Sequence, residues 1–260
     1  MRLLSYNIRR GGVGREGQLA AVIRECDADL IVLQEATHPS VVEGLARETG
    51  MSTWAANAGY SLAFLSRIEI AEHKWHKPAP MRRAFLEIRP ADFDLTIFGV
   101  HLSATHSNLT ERLRMRELRS LLNSIRRHSD GFHLLTGDFN TLAPGELLEH
   151  QRLPPRLRLV AWFTGGRVRY KTIQIMLDAG YADGYRALHT DAGFTFPTWD
   201  PHVRLDFAFL PKPFAEQIAE CEVMNETANV RVASDHFPLR FRIETAWLKN
   251  SHRTAQVPLA

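Results

Sequence analysis

The chain has 260 residues, 45% of them hydrophobic, with 32 Lys and Arg against 29 Asp and Glu and a net charge of +3; this excludes a compositionally disordered chain and suits one large α/β domain. The mildly basic balance does not by itself identify a polyanionic partner. Two cysteines, Cys26 and Cys221, outside any CxxC or finger spacing, exclude a disulfide framework or zinc knuckle, and no apolar run approaches the ~18 residues of a membrane span.

In chain order, Arg2 to Ile8 reads as a strand followed by a Gly-rich turn. Leu19, Val22, Ile23 and Cys26 fall at helical spacing, and Asp27-Ala28-Asp29 ends that helix. Leu30 to Leu33 is a short buried strand that delivers Gln34 and Glu35 at its end. Ser61 to Leu65, Phe85 to Ile88 and Leu95 to Val100 are further strands. A helix follows from Leu109 to Arg127, with Asn108 and Glu111 spaced as a capping box and Leu118, Leu121, Leu122 and Ile125 as its buried stripe. Its arginines, Arg112, Arg114, Arg116, Arg119, Arg126 and Arg127, read mostly as an exposed face. Phe132 to Leu135, Arg204 to Leu210 and Phe237 to Ile243 complete the strands. This order predicts one domain over residues 1–245, an α/β fold of two sheets packed face to face with helices outside, and a polar tail over 246–260. With no secretory leader at Met1 to Asn7, a soluble cytoplasmic monomer without stable membrane insertion is expected.

The informative residues are polar groups at the ends of apolar strands: Asn7, Glu35, His101, the Asp138/Asn140 pair and Asp206, with Ser234, Asp235 and His236 just before the last strand. Each alone has an ordinary reading. Asn7 and Asp138-Phe139-Asn140 suit turns, Arg204 and Asp206 could form a cross-strand ion pair, Asp235-His236 could be a surface loop, and His101 could be a hydrogen-bonded structural histidine. All of these would have to hold at once. Carboxylates gathered at one sheet edge repel each other and resist burial unless a cation joins them. A hard ion that takes oxygen ligands and keeps waters, Mg²⁺ or Mn²⁺, suits the set.

Seven short motifs then come in one order: Ser5-Tyr6-Asn7-Ile8, Leu33-Gln34-Glu35, Phe64-Leu65-Ser66-Arg67, Gly99-Val100-His101-Leu102, Gly137-Asp138-Phe139-Asn140, Arg204-Leu205-Asp206-Phe207 and Ser234-Asp235-His236. Together they resemble the endonuclease/exonuclease/phosphatase superfamily, which includes deoxyribonuclease I, exonuclease III-type repair nucleases, neutral sphingomyelinases and inositol-polyphosphate phosphatases. The resemblance implies a four-layer α-β-β-α sandwich with its site at one end of the sheets. It implies Glu35 as the principal metal carboxylate, Asn7 as a neighbouring ligand or metal-water contact, and Asp235 beside the metal or a second ion. Asp138 would orient or deprotonate the attacking water, and Asn140 would hold a phosphate oxygen. His236 would pair with Asp206 as a base or as a donor to the phosphoryl group, and His101 would assist the leaving group.

Two positions depart from the pattern. Arg9 stands where the repair-nuclease branch has an aspartate, which speaks against a second metal near Asn7. Arg83 precedes Ala84 where the deoxyribonuclease branch has a glutamate behind its first histidine, so His101 is expected to lack that carboxylate. The implied activity is metal-dependent hydrolysis of a phosphodiester, with a nucleic acid as the expected partner. Six basic and no acidic residues between Arg152 and Lys171, interleaved with Trp162, Phe163 and Tyr170, support a nuclease on DNA or RNA, with Arg167 and Arg169 as substrate-binding candidates. The alternatives are a phosphodiesterase or phosphatase for a lipid headgroup, inositol phosphate or other small phosphoester, and, last, an inactive binding module.

Overall fold

The structure is a computed structural model that describes residues 1–104, 108–126, 131–146 and 170–248. The strands are β1 (Arg2–Asn7), β2 (Leu30–Gln34), β3 (Thr53–Ala56), β4 (Leu62–Ser66), β5 (Ile70–His76), β6 (Phe85–Pro90), β7 (Thr96–His101), β8 (His133–Asp138), β9 (Tyr181–Asp183), β10 (Asp206–Pro211), β11 (Ile218–Val223) and β12 (Leu239–Ile243). The helices are α1 (Glu16–Cys26), α2 (Pro39–Thr49), α3 (Asn108–Ser124), α4 (Lys171–Asp178), α5 (Gly184–Leu188) and α6 (Val230–Ala233).

Two six-stranded sheets form, ordered β11-β12-β1-β2-β4-β3 and β5-β6-β7-β8-β10-β9. Each holds one parallel pair, β1 with β2 and β7 with β8, among antiparallel neighbours. The parallel pairs require crossovers, which α1 and α3 supply. Every residue of β2, β4, β7 and β8 is buried, as expected of central strands covered on both faces. Leu3, Val32, Phe64, Ile88, Leu134 and Phe241 belong to the core between the sheets. Leu19, Ile23, Val42 and Leu45 pack α1 and α2 on the outer face of the first sheet, and Leu118, Leu121, Ile173 and Met176 pack α3 and α4 on that of the second. The result is a single-domain sandwich with helix, sheet, sheet and helix layers. Cys26 and Cys221 are free, buried thiols in different parts of this core.

The strands that sequence reading passes over are β3, β5, β9 and β11, and all four lie at sheet edges. β5 exposes most of its length, so Ile70 to His76 carries no apolar run to betray it. Helix α3 differs from expectation in its polar residues. Glu111 does not serve as a simple cap: it accepts from Thr172 N and Oγ1 (both 2.9 Å), Thr141 Oγ1 (3.1 Å) and Arg114 Nε (3.2 Å). Arg114, expected on the exposed face, is fully buried and also donates to Ser103 O. Arg127 and the residues after Leu248 lie outside the described residues, and Leu248 itself is buried against the core between the sheets.

Two details fix where the second sheet can place its polar groups. Gly137 lies so close to β7 that a Cβ would stand 1.9 Å from Val100 O, at a φ of 146°. Only glycine permits that approach, and it brings the next residue, Asp138, into register with His101. Glu117, on α3, accepts from Ser103 N (3.1 Å), Ser103 Oγ (2.9 Å) and Arg82 N (3.1 Å), so one buried carboxylate ties down the loops after β7 and before β6.

Candidate active site

The fold brings all eight expected residues to one end of the sandwich. Asn7, His101 and Asp138 are the last residues of β1, β7 and β8. Glu35 follows β2 directly, Asp206 opens β10 opposite Asp138, and Asp235 and His236 lie between α6 and β12. This is the carboxyl end of both parallel pairs, where chain reversals leave backbone and side-chain groups free for ligands. Among the described residues, four of the five non-glycine residues with positive φ fall here: Arg9, Arg10, Glu35 and Asn140. Left-handed backbone at such residues is sparsely populated and is retained where surrounding contacts impose it.

Asp138 is the hub. Its Oδ1 accepts from Asn140 N at 2.8 Å and its Oδ2 from Asn7 Nδ2 at 3.1 Å. The imidazole Nε2 atoms of His101 and His236 each lie 3.9 Å from the same Oδ2. Burial pushes the Asp138 carboxyl up to about 7; the Asp206 carboxylate adds to the rise, while His236 and the two amide donors oppose it.

His236 Nδ1 pairs with Asp206 Oδ2 at 2.8 Å, which turns its Nε2 toward Asp138. Burial alone would lower the imidazole pKa, but the Asp206 charge and hydrogen bond, with Asp138 and Asp235 behind them, outweigh it and raise it to about 10. The pair is held from outside by Thr195, whose Oγ1 accepts from Leu205 N and Asp206 N. The Phe196 ring packs on His236 with centroids 4.8 Å apart. Next to Phe196, Trp199 is 65% exposed. Thr195, Phe196 and Trp199 do not stand out in the sequence, because a Thr/aromatic run without charge carries little signal until the fold sets it beside His236.

Arg204 does not pair with Asp206. Its guanidinium, fully buried, bonds Asp183 Oδ1 and Oδ2 (3.0 and 2.6 Å) and Glu146 Oε1 (2.7 Å). It is a structural strut behind the dyad. Arg9 meets Asp235, Nε to Oδ2 at 3.3 Å, and so cancels much of the charge that Asp235 would bring to an ion. Asn140 donates through Nδ2 to Leu102 O at 3.1 Å and keeps one amide hydrogen for another acceptor.

His101 is buried and, among the described residues, has no carboxylate nearer than Asp138. Instead Arg83 donates to its Nε2 and, at 2.8 Å, to Leu102 O. Arginine is only a donor, so Nε2 of His101 is an acceptor and the imidazole is neutral; burial and the Arg83 charge both push its pKa well below the ordinary range. Arg167 and Arg169 lie outside the described residues.

The donors around Glu35 fit a hard divalent cation. Glu35 Oε2 accepts from Arg10 N at 2.5 Å, while Oε1 has only a long 3.5 Å contact with Asn7 Nδ2. No cysteine is near, and among the described residues no three His, Cys, Asp or Glu side chains form a metal-sized group. One carboxylate with waters completing the shell is a usual arrangement for Mg²⁺. Asp206 Oδ1 is a further buried carboxylate oxygen without a hydrogen-bond partner.

A family model described as "Endonuclease/Exonuclease/phosphatase family" matches residues 4–236. The chain belongs to the endonuclease/exonuclease/phosphatase family. That membership makes it a hydrolase of phosphoester bonds. Solved structures agree in fold with this family chain. An AP endonuclease from Archaeoglobus fulgidus has 16% identity and a TM-score of 0.72, over 94% of this chain and 100% of that one. A variant of the 3′ phosphatase NExo from Neisseria, bound to product DNA hairpin, has 19% identity and a TM-score of 0.70, over 94% and 99%. A humanized D. rerio TDP2 has 18% identity and a TM-score of 0.62, over 94% and 99%. A search of curated proteins by sequence found no match. Among the described residues no helix is long and apolar enough to cross a membrane.

Proposed function

We propose that this family member is a divalent-metal-dependent phosphodiesterase that acts on nucleic acid. The observation that carries the reading is the Asp138 hub, where a buried carboxylate faces two imidazoles and two amide donors at the mouth of the sandwich. Glu35 and Asn7 would hold Mg²⁺ or Mn²⁺, with Asp235 nearby but engaged by Arg9. Bound there, the ion would neutralise phosphate charge and orient the attacking and leaving oxygens.

The chain's own groups supply the rest. Asp138, with its carboxyl raised toward neutrality, suits a base that takes a proton from the attacking water. His236, kept protonated by Asp206, presents an N–H to a non-bridging phosphate oxygen, where negative charge grows during reaction. Asn140 adds a donor without adding negative charge. His101, neutral and bonded to Arg83, positions the phosphate side of the cleft; in this geometry its Nε2 has no proton to give the leaving group.

The nucleic-acid part of the reading rests on Trp199, an exposed ring against Phe196, which itself packs on His236, and so a face for base stacking near the dyad. The solved neighbour bound to product DNA hairpin supports it. Arg167 and Arg169 extend the proposal to the basic segment. A cytoplasmic monomer remains part of this reading. The test is a substrate panel with Mg²⁺ or Mn²⁺: plasmid, abasic duplex, single-stranded RNA, sphingomyelin, inositol phosphates and bis-nitrophenyl phosphate. Turnover of nucleic acid far above the rest is expected. Turnover confined to a lipid or inositol phosphate would replace the nuclease reading with the small-phosphoester one, and none at all would leave the inactive binding module.

A further inference from the structure

The cleft beside Glu35 has a charge balance that the Asp138 hub does not explain. It encloses about 330 Å³ and is lined by Arg10, Lys77, Arg82 and Arg83, with Glu35 as its single carboxylate. Among the described residues, no carboxylate lies within ion-pair distance of any of these four side-chain cations. Four cations that share a cleft with one carboxylate leave a net positive charge there, which an anionic ligand would offset.

The cleft is also built rather than incidental. The loop carrying Arg82 and Arg83 is fastened to α3 through Arg82 N to Glu117 and Ser120 Oγ to Ala79 O (2.8 Å). Arg83 spends donors on His101 Nε2 and Leu102 O, which fix its guanidinium, and retains others. Two more lining residues, Ser61 and His101, hold buried polar atoms without a partner, Ser61 Oγ and His101 Nδ1. With Nε2 of His101 accepting from Arg83, its proton sits on Nδ1, so both orphans are donors. Cations and unused donors, with few unused acceptors, describe a site for an oxyanion of several oxygens.

We propose that this cleft is a subsite for a second phosphate group of the substrate, next to the phosphate that is hydrolysed, gripped by Arg83 with Arg82, Lys77 and Arg10. The proposal rests on the phosphoester reading above and sharpens it. Arg83, donating to His101, gives that flank of the site a cation suited to anion binding and leaves His101 Nε2 no proton to transfer. The second phosphate has two sources: the next backbone phosphate of a nucleic-acid strand, or another phosphate on a small polyphosphorylated molecule.

The test compares thymidine 3′,5′-bisphosphate with thymidine 5′-monophosphate by titration calorimetry on the full chain with Mg²⁺. The bisphosphate should bind the wild type on the order of ten-fold tighter, and the double variant Lys77→Ala/Arg82→Ala should lose most of that preference. Both residues are exposed, and circular dichroism checks that the variant folds. Equal binding of the two nucleotides, or an undiminished preference in the variant, overturns the subsite. If the preference is present but no phosphodiester in the panel is hydrolysed, the hydrolase reading fails and the subsite stands. If hydrolysis occurs without the preference, the subsite alone fails. A further pair of probes separates the sources. An oligothymidylate whose neighbouring phosphate is a neutral methylphosphonate should lose kcat/KM if a strand fills the cleft. Inositol 1,4-bisphosphate should bind as well as the nucleotide if a small polyphosphate does. Either result supports the subsite; indifference to both overturns it.

Discussion

Asn7 Nδ2 stands 3.1 Å from Asp138 Oδ2, so one hydrogen bond joins the last residue of β1 in the first sheet to the last residue of β8 in the second. Both side chains are buried. The bond orients the carboxylate and places Asn7 between it and Glu35. Low local dielectric strengthens such a contact and makes its loss costly.

Asn7→Ala and Asp138→Asn should each lower kcat by ~10²–10⁴, the range for a positioned proton-transfer group or its partner. Steady-state hydrolysis of bis-nitrophenyl phosphate, beside circular dichroism of each variant, checks this. Wild-type turnover in the folded Asp138→Asn protein would remove Asp138 from the chemistry.

The His236 pair with Asp206 has a pH signature. Unfolded, the imidazole loses its proton near 6.5; folded, it keeps it to about 10. The group therefore stabilises the fold fully below pH 6.5, and that contribution is lost as pH rises toward 10. The melting temperature of chelator-treated wild type should exceed that of His236→Gln most at low pH, with the gap closing between 6.5 and 10. A gap that widens with pH would reverse the assignment of charge on His236.

Chelation should abolish hydrolysis, and added Mg²⁺ should restore it. Mg²⁺ should also stabilise the wild type, by ~2.7 kcal/mol at one hundred times the dissociation constant, and so raise its melting temperature. Glu35→Gln should lose most of that rise. Calorimetric scans with and without Mg²⁺ read this independently of activity, and an equal rise in both proteins would move the ion away from Glu35.

Arg204 tests the strut behind the dyad. Arg204→Met leaves the buried Asp183 carboxylate without its cation and Glu146 with Arg186 alone, and breaking such a buried pair costs ~3–5 kcal/mol. Urea unfolding measures the loss. A cost within ~0.5 kcal/mol would class Arg204 with ordinary surface substitutions.

The residue order alone determined the central strands and what stands at their ends. A strand buried on both faces needs an unbroken apolar run, and a polar residue that closes such a run shows in the sequence without any knowledge of contacts. That is why β1, β2, β7 and β8 could be read together with Asn7, Glu35, His101 and Asp138. Edge strands such as β5 face solvent, carry mixed residues and left no trace. Tertiary structure alone decided which polar groups meet. Arg204 stands two residues from Asp206, yet β10 carries only Asp206 to the dyad, while Arg204 turns to Asp183 and Glu146. Arg114 looked like one more exposed cation of α3, yet Ser103 and Glu111 draw it inside. Arg83 could be seen to lack a carboxylate's chemistry, but its donation to His101 and its company with Arg10, Lys77 and Arg82 depend on loops distant in sequence. Charge and hydrogen bonding act over a few ångströms in space, and the spacing of residues along a chain does not encode that distance.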